Sequence, residues 1–270
     1  MTTPFEAATE RFRAAWSAEV DYQPLAHQSA LTSELQVQAT AVRWGDRVLD
    51  IAAGTGNTAL AAARRGALVT ATDFSPIVLD RAVRRAGAEG LSIDTELADA
   101  QQLPFEDATF DVVLSTFGVM YAPDQQRAAD ELLRVCKPGA RIGLVSWCLT
   151  GLMADLQSAL ADVLPPPPPG VPSPHLWGNE QRYKELFGDR IAVTSCDVLV
   201  QETFAKSAQD QVATMLTHLP PWRMLYERLD PTARSAFAAA AEGAYERANR
   251  ATDGTLLAGA QYLQIVATAH

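Results

Sequence analysis

The segment from Asp46 to Gly56 constrains this chain more than any other part of its sequence. It reads Asp-Arg-Val-Leu-Asp-Ile-Ala-Ala-Gly-Thr-Gly, a short apolar strand that carries an acid and then turns through two closely spaced glycines. Gly54 and Gly56 allow a turn that side chains would block. Because ligands bind at the carboxyl edge of a parallel sheet, Asp50 is expected to place negative charge beside a ligand.

Strand and helix signals alternate after this segment, which is typical of a parallel sheet covered on both faces. Further strands are predicted at 67–73, 91–98, 110–115 and 141–147, and helices at 59–65, 76–86 and 124–136. Ser75 is the expected N-cap of the second of these helices, Gly87 or Gly90 would end it, and Lys137-Pro-Gly139 would break the third helix before its strand. Two N-terminal helices, at 5–20 and 25–42, precede the sheet. Late strands at 194–204 and 260–268 enclose a helical segment at 206–250.

These elements predict an α/β fold, a Rossmann-like, doubly wound, mostly parallel seven-stranded sheet with an N-terminal helical lid and a small helical cap. Residues 1–43 would form the lid and 44–164 the ligand-binding core. Residues 165–250 would supply a proline-rich crossing, a late strand and the cap, and 251–270 the final strand. Five consecutive prolines at 165–169 favour a stiff, extended crossing over a helix or a central strand.

Composition excludes several classes of protein. The chain has 270 residues, 48% of them hydrophobic, and a formal net charge of -10, which argues against a nucleic-acid partner. The basic pairs Arg64-Arg65 and Arg84-Arg85 are interpreted as solvated helix surface. Cys136, Cys148 and Cys196 match neither a disulfide framework nor a metal site. Without a signal segment or a membrane-spanning apolar run, a cytoplasmic protein without a bound metal is expected, and a homo-oligomer is compatible with the sequence.

Acids follow the next two strands as well. Asp73 ends the second strand, where a carboxylate can accept hydrogen bonds from ribose hydroxyls. Asp99 follows the third strand, where it can accept a hydrogen bond from the exocyclic amine of adenine while the Ala100 backbone contacts the ring. The glycine turn also fits the loose G-x-G-x-x-A pattern of NAD-binding proteins, so an NAD-linked oxidoreductase stays open on that motif alone. Three acids suit a cationic sulfonium better than a dinucleotide.

Five ordered motifs then resemble one family. They are Val48-Leu-Asp-Ile-Ala-Ala-Gly-Thr-Gly56, Thr72-Asp-Phe-Ser-Pro76, Ala98-Asp-Ala-Gln-Gln-Leu-Pro-Phe105, Phe110-Asp-Val-Val-Leu-Ser-Thr-Phe117 and Glu131-Leu-Leu-Arg-Val-Cys-Lys-Pro-Gly139. They are similar to the motifs of class I S-adenosylmethionine-dependent methyltransferases, especially the ubiquinone/menaquinone-biosynthesis and small-molecule group. One departure is Ala52, where the family often has glycine. Alanine fits this position if its backbone dihedrals are ordinary.

The resemblance implies a cofactor site and assigns its residues. Asp50 would hold the methionine ammonium group, Asp73 the ribose and Asp99-Ala100 the adenine edge, while Phe74 would cover one adenine face. Trp16 and Tyr22 would close over the cofactor, and the end of the fourth strand would face the acceptor. The expected cofactor-binding residues are Tyr22, Asp50, Ala52, Ala53, Gly54, Asp73, Phe74, Asp99, Ala100, Ser115, Thr116 and Phe117.

The expected reaction is methyl transfer from S-adenosylmethionine to an oxygen, nitrogen or carbon nucleophile of a small molecule, with S-adenosylhomocysteine as product. Candidate catalytic bases are His27, ranked first, His175 and His218. An apolar or aromatic acceptor is suggested by residues assigned to the cap, namely Leu176, Trp177, Met215, Leu219, Trp222, Met224 and Tyr226. These residues could also be the core of the cap. A second alternative is a protein that binds S-adenosylmethionine and uses it for chemistry other than methyl transfer.

Overall fold

The computed structural model describes residues 3–16, 20–161 and 169–270. Its strands are β1 Arg47–Ile51, β2 Leu68–Asp73, β3 Asp94–Leu97, β4 Phe110–Thr116, β5 Cys136–Trp147, β6 Ile191–Ala205 and β7 Leu256–Ala269. They form one seven-stranded sheet in the order β3-β2-β1-β4-β5-β7-β6. Neighbours from β3 to β5 are parallel, whereas β7 is antiparallel to both β5 and β6. The predicted fold class is confirmed.

Helices connect the strands within the described ranges. They are α1 Pro4–Trp16, α2 Gln23–Ala26, α3 Ala30–Ala39, α4 Asn57–Ala63, α5 Pro76–Ala88, α6 Gln125–Val135, α7 Gly151–Ala159, α8 Glu180–Phe187, α9 Ala208–His218, α10 Pro220–Arg228 and α11 Pro231–Ala248. Asp124, Ser207 and Asp230 begin α6, α9 and α11 as N-caps, because each side chain accepts a hydrogen bond from the amide three residues later. None of these helices combines the length and apolar character needed to cross a bilayer.

Apolar layers cover both faces of the sheet. On one face, α6, α8 and the 3-10 turn Pro174–Gly178 pack against β1, β4 and β5. On the other face, α3, α4 and α5 pack through small side chains such as Ala59 and Ala62, which are fully buried. Strands covered on both sides need apolar residues at every position, which explains the continuous run Val112–Leu114.

A third apolar cluster joins α7, α9 and α11 to the start of β7. Trp222 packs edge-on against Phe237 in this cluster, with ring centroids 5.1 Å apart. Trp177 lies elsewhere, fully buried against Tyr183 in the core beneath the sheet. The prediction that Trp177 belongs to the cap is therefore wrong, and Trp222 contributes to the cap's own core.

Some predicted boundaries are also wrong. The strand expected from Arg141 begins at Cys136, which pairs with Phe110, and pairing with β4 resumes at Arg141. Lys137-Pro-Gly139 thus interrupts the ladder inside β5 instead of preceding the strand. Gly87 does not end α5, which continues to Ala88, and α7 and α8 were not predicted. Residues 165–168 of the predicted proline-rich crossing lie outside the described residues.

Candidate active site

Asp50 lies at the switch point of the sheet, where the strand order reverses between β1 and β4. Its side chain is buried, and neither carboxylate oxygen has a hydrogen-bond partner among the described residues. Burial raises the pKa of Asp50 to about 8; the nearby Ala59 backbone amide opposes this shift, and the Asp73 carboxylate adds to it. A buried carboxylate without donors is costly. An ammonium group would supply both the opposite charge and the donors.

The turn after β1 is held in left-handed backbone conformations. Gly54 and Gly56 have φ values of 56° and 86°, as expected for a glycine turn. Ala52 has a φ of 53°, so the expectation that its dihedrals are ordinary is wrong. This conformation costs a residue with a Cβ atom about 1 kcal/mol. Gly118 packs against Ala52 so closely that a Cβ atom there would lie 2.6 Å from the Ala52 carbonyl oxygen.

Asp73 fastens the glycine turn to the end of β2. Its Oδ2 accepts a hydrogen bond from the Gly54 amide and its Oδ1 one from the Ser75 amide, both at 3.0 Å. Burial raises the pKa of Asp73 to about 6, although the amides of Ser75, Gly54 and Phe74 oppose the shift. Each carboxylate oxygen keeps a second lone pair, so Asp73 can still accept ribose hydroxyls. Ser75 flanks α5 as expected, but its side chain makes no capping hydrogen bond.

A small cavity unites four of the predicted cofactor-binding residues, namely Ala52, Phe74, Asp99 and Ala100. Thr9 and Phe12 of α1 line the same cavity, together with Gly118 and Tyr121. Its volume is about 30 Å³, which is the volume of roughly one water molecule. An adenosine group would therefore enter only after α1 has moved away.

Helix α1 is held over the cavity by polar and aromatic contacts. The Gln101 side chain donates a hydrogen bond to Thr9 Oγ1 at 3.0 Å, and an Arg13 guanidinium nitrogen lies 3.7 Å from an Asp99 oxygen. Trp16 packs edge-on against Tyr22 with ring centroids 5.0 Å apart, but neither residue lines the cavity, so their closure over the cofactor stays a prediction. The sequence analysis missed Thr9 and Arg13. Their spacing from Trp16 on one helical face is the signal that could have revealed them.

The three residues at the end of β4 have different surroundings. Ser115 is fully buried; its hydroxyl donates to the Ile51 carbonyl oxygen at 2.7 Å and accepts from the Val119 amide at 2.9 Å. It therefore joins β4 to β1. The Thr116 hydroxyl lies 2.8 Å from that of Thr58.

Phe117 belongs to an aromatic group at the carboxyl end of β4. Its ring stacks on Trp147 with centroids 3.8 Å apart and planes 11° apart, and it meets Tyr262 edge-on at 5.8 Å. Trp147 ends β5 and pairs with Tyr262 of β7. Phe117 has a φ of 59°, an uncommon conformation for a residue with a large side chain. We call Phe117, Trp147 and Tyr262 the aromatic trio. The sequence analysis missed Trp147 and Tyr262, because antiparallel pairing brings them together from distant segments.

The three candidate histidines lie in three different places. His175 is next to the aromatic trio: burial lowers its pKa, while the Trp147 backbone opposes the shift. Its Nδ1 atom is buried and has no hydrogen-bond partner among the described residues. His218 Nδ1 lies 2.6 Å from the Asp21 carbonyl oxygen, so it joins α9 to the N-terminal segment. His27 is exposed and lines a groove with arginines of α5.

The sheet order and the acids near the carboxyl ends of β1, β2 and β3 are typical of α/β enzymes that bind a nucleoside cofactor at this edge. A family model described as a methyltransferase domain matches residues 48–139. An uncharacterized protein of Mycobacterium tuberculosis is 42% identical over 186 residues, covering 68% of this chain and 67% of that protein. The demethylmenaquinone methyltransferase of Clavibacter sepedonicus is 45% identical over 98 residues, covering 36% of this chain and 40% of that enzyme.

Solved structures share the fold. A putative methyltransferase from Bacillus halodurans has a TM-score of 0.60 at 17% identity, covering 87% of this chain and 97% of that one. The cyclase SpnF has a TM-score of 0.57 at 21% identity, covering 89% of this chain and 80% of that one. At these identities the likeness shows the fold alone.

The chain belongs to the class I S-adenosylmethionine-dependent methyltransferases, and it is a methyltransferase. The family implies S-adenosylmethionine as cofactor, and the buried, unpaired carboxylate of Asp50 fits the ammonium group of that molecule. The family match also decides against the NAD-linked oxidoreductase that the glycine motif alone left open.

Proposed function

We propose that this enzyme methylates a small molecule whose reacting atom is carried by an aromatic or other flat apolar body. The aromatic trio is the observation that supports this proposal. It lies at the carboxyl ends of β4 and β5, beside the switch point where the cofactor is expected. A stacked pair of rings offers a flat apolar surface, and rings packed in offset or edge-on arrangements add to the energy of burial.

Backbone strain supports the same assignment. A residue such as Phe117 in the left-handed region costs on the order of 1–3 kcal/mol, and such strain persists where the surrounding structure enforces it. Residues of this kind cluster at active sites. The strain at Phe117 orients its ring onto Trp147, so we assign the pair to acceptor binding.

The cofactor would be held by residues of the other half of the site. Asp50 would pair with its ammonium group, Asp73 would accept its ribose hydroxyls, and Asp99 with Ala100 would bind the adenine edge beneath Phe74. When bound, S-adenosylmethionine supplies an electrophilic methyl carbon on a positively charged sulfur. The chain's main contribution is to exclude water and to align the acceptor opposite that sulfur.

His175 is our candidate for the proton acceptor. An oxygen or carbon nucleophile loses a proton as it forms its bond to the methyl carbon, and the electron pair of the broken carbon–sulfur bond stays with sulfur. A lowered pKa keeps the His175 imidazole neutral near pH 7 and thus able to take that proton. A neutral amine acceptor would need no such base.

Two measurements test the proposal. Calorimetry should show binding of S-adenosylhomocysteine, and an acceptor screen read by mass spectrometry should show products that have gained one methyl group. Aromatic acceptors should be enriched among the products over aliphatic acceptors of similar size. Conversion of an acceptor while S-adenosylmethionine keeps its methyl group would instead indicate chemistry other than methyl transfer, and a preference for small polar acceptors would refute the assignment of the aromatic trio.

A further inference from the structure

A groove of about 530 Å³ lies on the surface between the N-terminal segment and α5. It is lined by Asp21, Gln23, His27, Arg81, Arg84 and Arg85, and we call it the basic groove. It shares no lining residue with the cavity under α1. Arg84 is exposed on α5, in agreement with its prediction as solvated helix surface, and both Arg84 and Arg85 line this open groove.

The arginines of the basic groove crowd one face of α5. Arg81, Arg84 and Arg85 are spaced three and four residues apart, so their side chains are neighbours on the helix surface, where like charges destabilise a helix. Arg81 is paired with Asp21 at 2.7 Å, and Arg85 donates a hydrogen bond to the Thr55 carbonyl oxygen at 2.5 Å. Arg84 has no hydrogen bond or ion pair with any residue that the structure describes. The groove therefore carries more positive charge than its single carboxylate balances.

One lining residue of the basic groove, Gln23, has an unsatisfied side-chain amide. Both polar atoms of the Gln23 side chain are buried and lack a hydrogen-bond partner in the described part of the chain. Buried polar groups are normally paired, so a buried amide without a partner indicates a missing donor or acceptor. An oxyanion would accept from the Gln23 amide nitrogen and from the guanidinium groups together.

We propose that the basic groove binds the phosphate group of a phosphate-bearing small molecule. Guanidinium groups match phosphate oxygens in geometry and charge. The overall charge of -10 repels anions at long range, so an anion held here must be bound by the local arginines. Arg85 also contacts the glycine turn through Thr55, which connects the groove with the turn that precedes α4.

The test is a titration of the full chain with inorganic phosphate at constant ionic strength balanced with chloride, followed by NMR chemical shifts. The same titration is repeated with phenyl phosphate. If phenyl phosphate binds more tightly than inorganic phosphate, the groove is assigned to a phosphorylated molecule. If the two bind equally, the groove is assigned to free phosphate. We expect Arg84→Gln to weaken phosphate binding about fivefold or more. The matched control is Arg65→Gln, which removes an exposed arginine outside the groove.

Two further arms make the result decisive. Asp21→Asn removes the carboxylate that pairs with Arg81, so phosphate should bind more tightly to this variant. S-adenosylhomocysteine at saturation should leave phosphate binding unchanged, because the two sites share no lining residue. Absence of saturable binding, equal loss in Arg84→Gln and Arg65→Gln, or competition with S-adenosylhomocysteine would each overturn the proposal. Phosphate binding without S-adenosylhomocysteine binding would leave the basic groove standing and refute the cofactor assignment.

Discussion

The two halves of the active site are built in contrasting ways. Carboxylates lie near the carboxyl ends of β1, β2 and β3 in the half assigned to the cofactor, whereas rings at the carboxyl ends of β4 and β5 meet a ring from the middle of β7 in the half assigned to the acceptor. The first half is encoded in short contiguous motifs, and the second is assembled from residues far apart in the chain. Charge recognition thus depends on local sequence, and shape recognition depends on strand pairing.

The largest expected effect concerns stability in the cofactor half. The pKa of Asp50 is about 8 in the folded protein and 3.8 ordinarily, so the folded state binds more protons than the unfolded chain between these values. Stability should therefore fall as pH rises from about 4 to about 8. Asp50→Asn should remove this loss and gain on the order of 5 kcal/mol at pH 8, but little at pH 4. Urea unfolding across this pH range measures it, and a gain that does not depend on pH would contradict the burial of an unpaired carboxylate.

The same substitution should damage binding. Without its carboxylate, the Asp50→Asn variant should bind S-adenosylhomocysteine about 300-fold more weakly, because a buried charge pair with the ammonium group is lost. Isothermal titration calorimetry gives this change. The control is Asp80→Asn, which neutralises an exposed acid of α5. Unchanged affinity in Asp50→Asn would remove the central argument for the cofactor half.

In the acceptor half, the largest expected loss of activity follows from substitution of His175. For oxygen or carbon acceptors, His175→Gln should lower kcat about 100-fold. In the unmodified enzyme, kcat/KM should fall as the pH decreases through a pKa below 6.5, because burial lowers the pKa of His175 and only the neutral imidazole accepts a proton. His27→Gln and His218→Gln should keep this pH profile. If the acid limb disappears in His27→Gln instead, the base lies in the basic groove.

Substitution of Trp147 tests whether acceptor binding can be weakened without weakening cofactor binding. Trp147→Ala should lower kcat/KM for an aromatic acceptor about 20-fold through the loss of the stack with Phe117, while the affinity for S-adenosylhomocysteine stays within about twofold. Trp44→Ala is the matched control, since Trp44 is 86% exposed. Equal losses in kcat/KM and in affinity for S-adenosylhomocysteine would show that Trp147 supports the structure of the whole site and not acceptor binding alone.

The smallest effect concerns the strained turn. Ala52→Gly should raise the free energy of unfolding by about 1 kcal/mol, because glycine adopts a φ of 53° without a steric penalty. Ala53→Gly, one residue along and with a negative φ, should lower it instead. Chemical denaturation compares the two variants. A loss of stability in both would mean that Ala52 is not strained.

Local patterns in the sequence were sufficient for the fold, and they placed the acids that we assign to the cofactor half. Alternating strand and helix signals predicted the sheet, and the acids at 50, 73 and 99 were visible because each lies within two residues of the end of a strand. Trp147 and Tyr262 could not be paired from sequence, since their contact depends on the register between β5 and β7. The left-handed backbone of Ala52 was also hidden, because the packing of Gly118 against it is a tertiary contact.

The water-sized cavity beneath α1 has a consequence for the timing of catalysis. With the cofactor placed as proposed, its entry and the exit of its product would each require α1 to leave its contacts with Gln101 and Tyr121. Each catalytic cycle would then include at least one opening of this helix, in which the product leaves and the next cofactor enters, so the opening frequency would set a ceiling on turnover. Motions of this kind occur within microseconds to milliseconds and limit many enzymes more than chemistry does. Thr9 and Phe12, which touch no reacting atom, would thereby help to determine how fast the enzyme works.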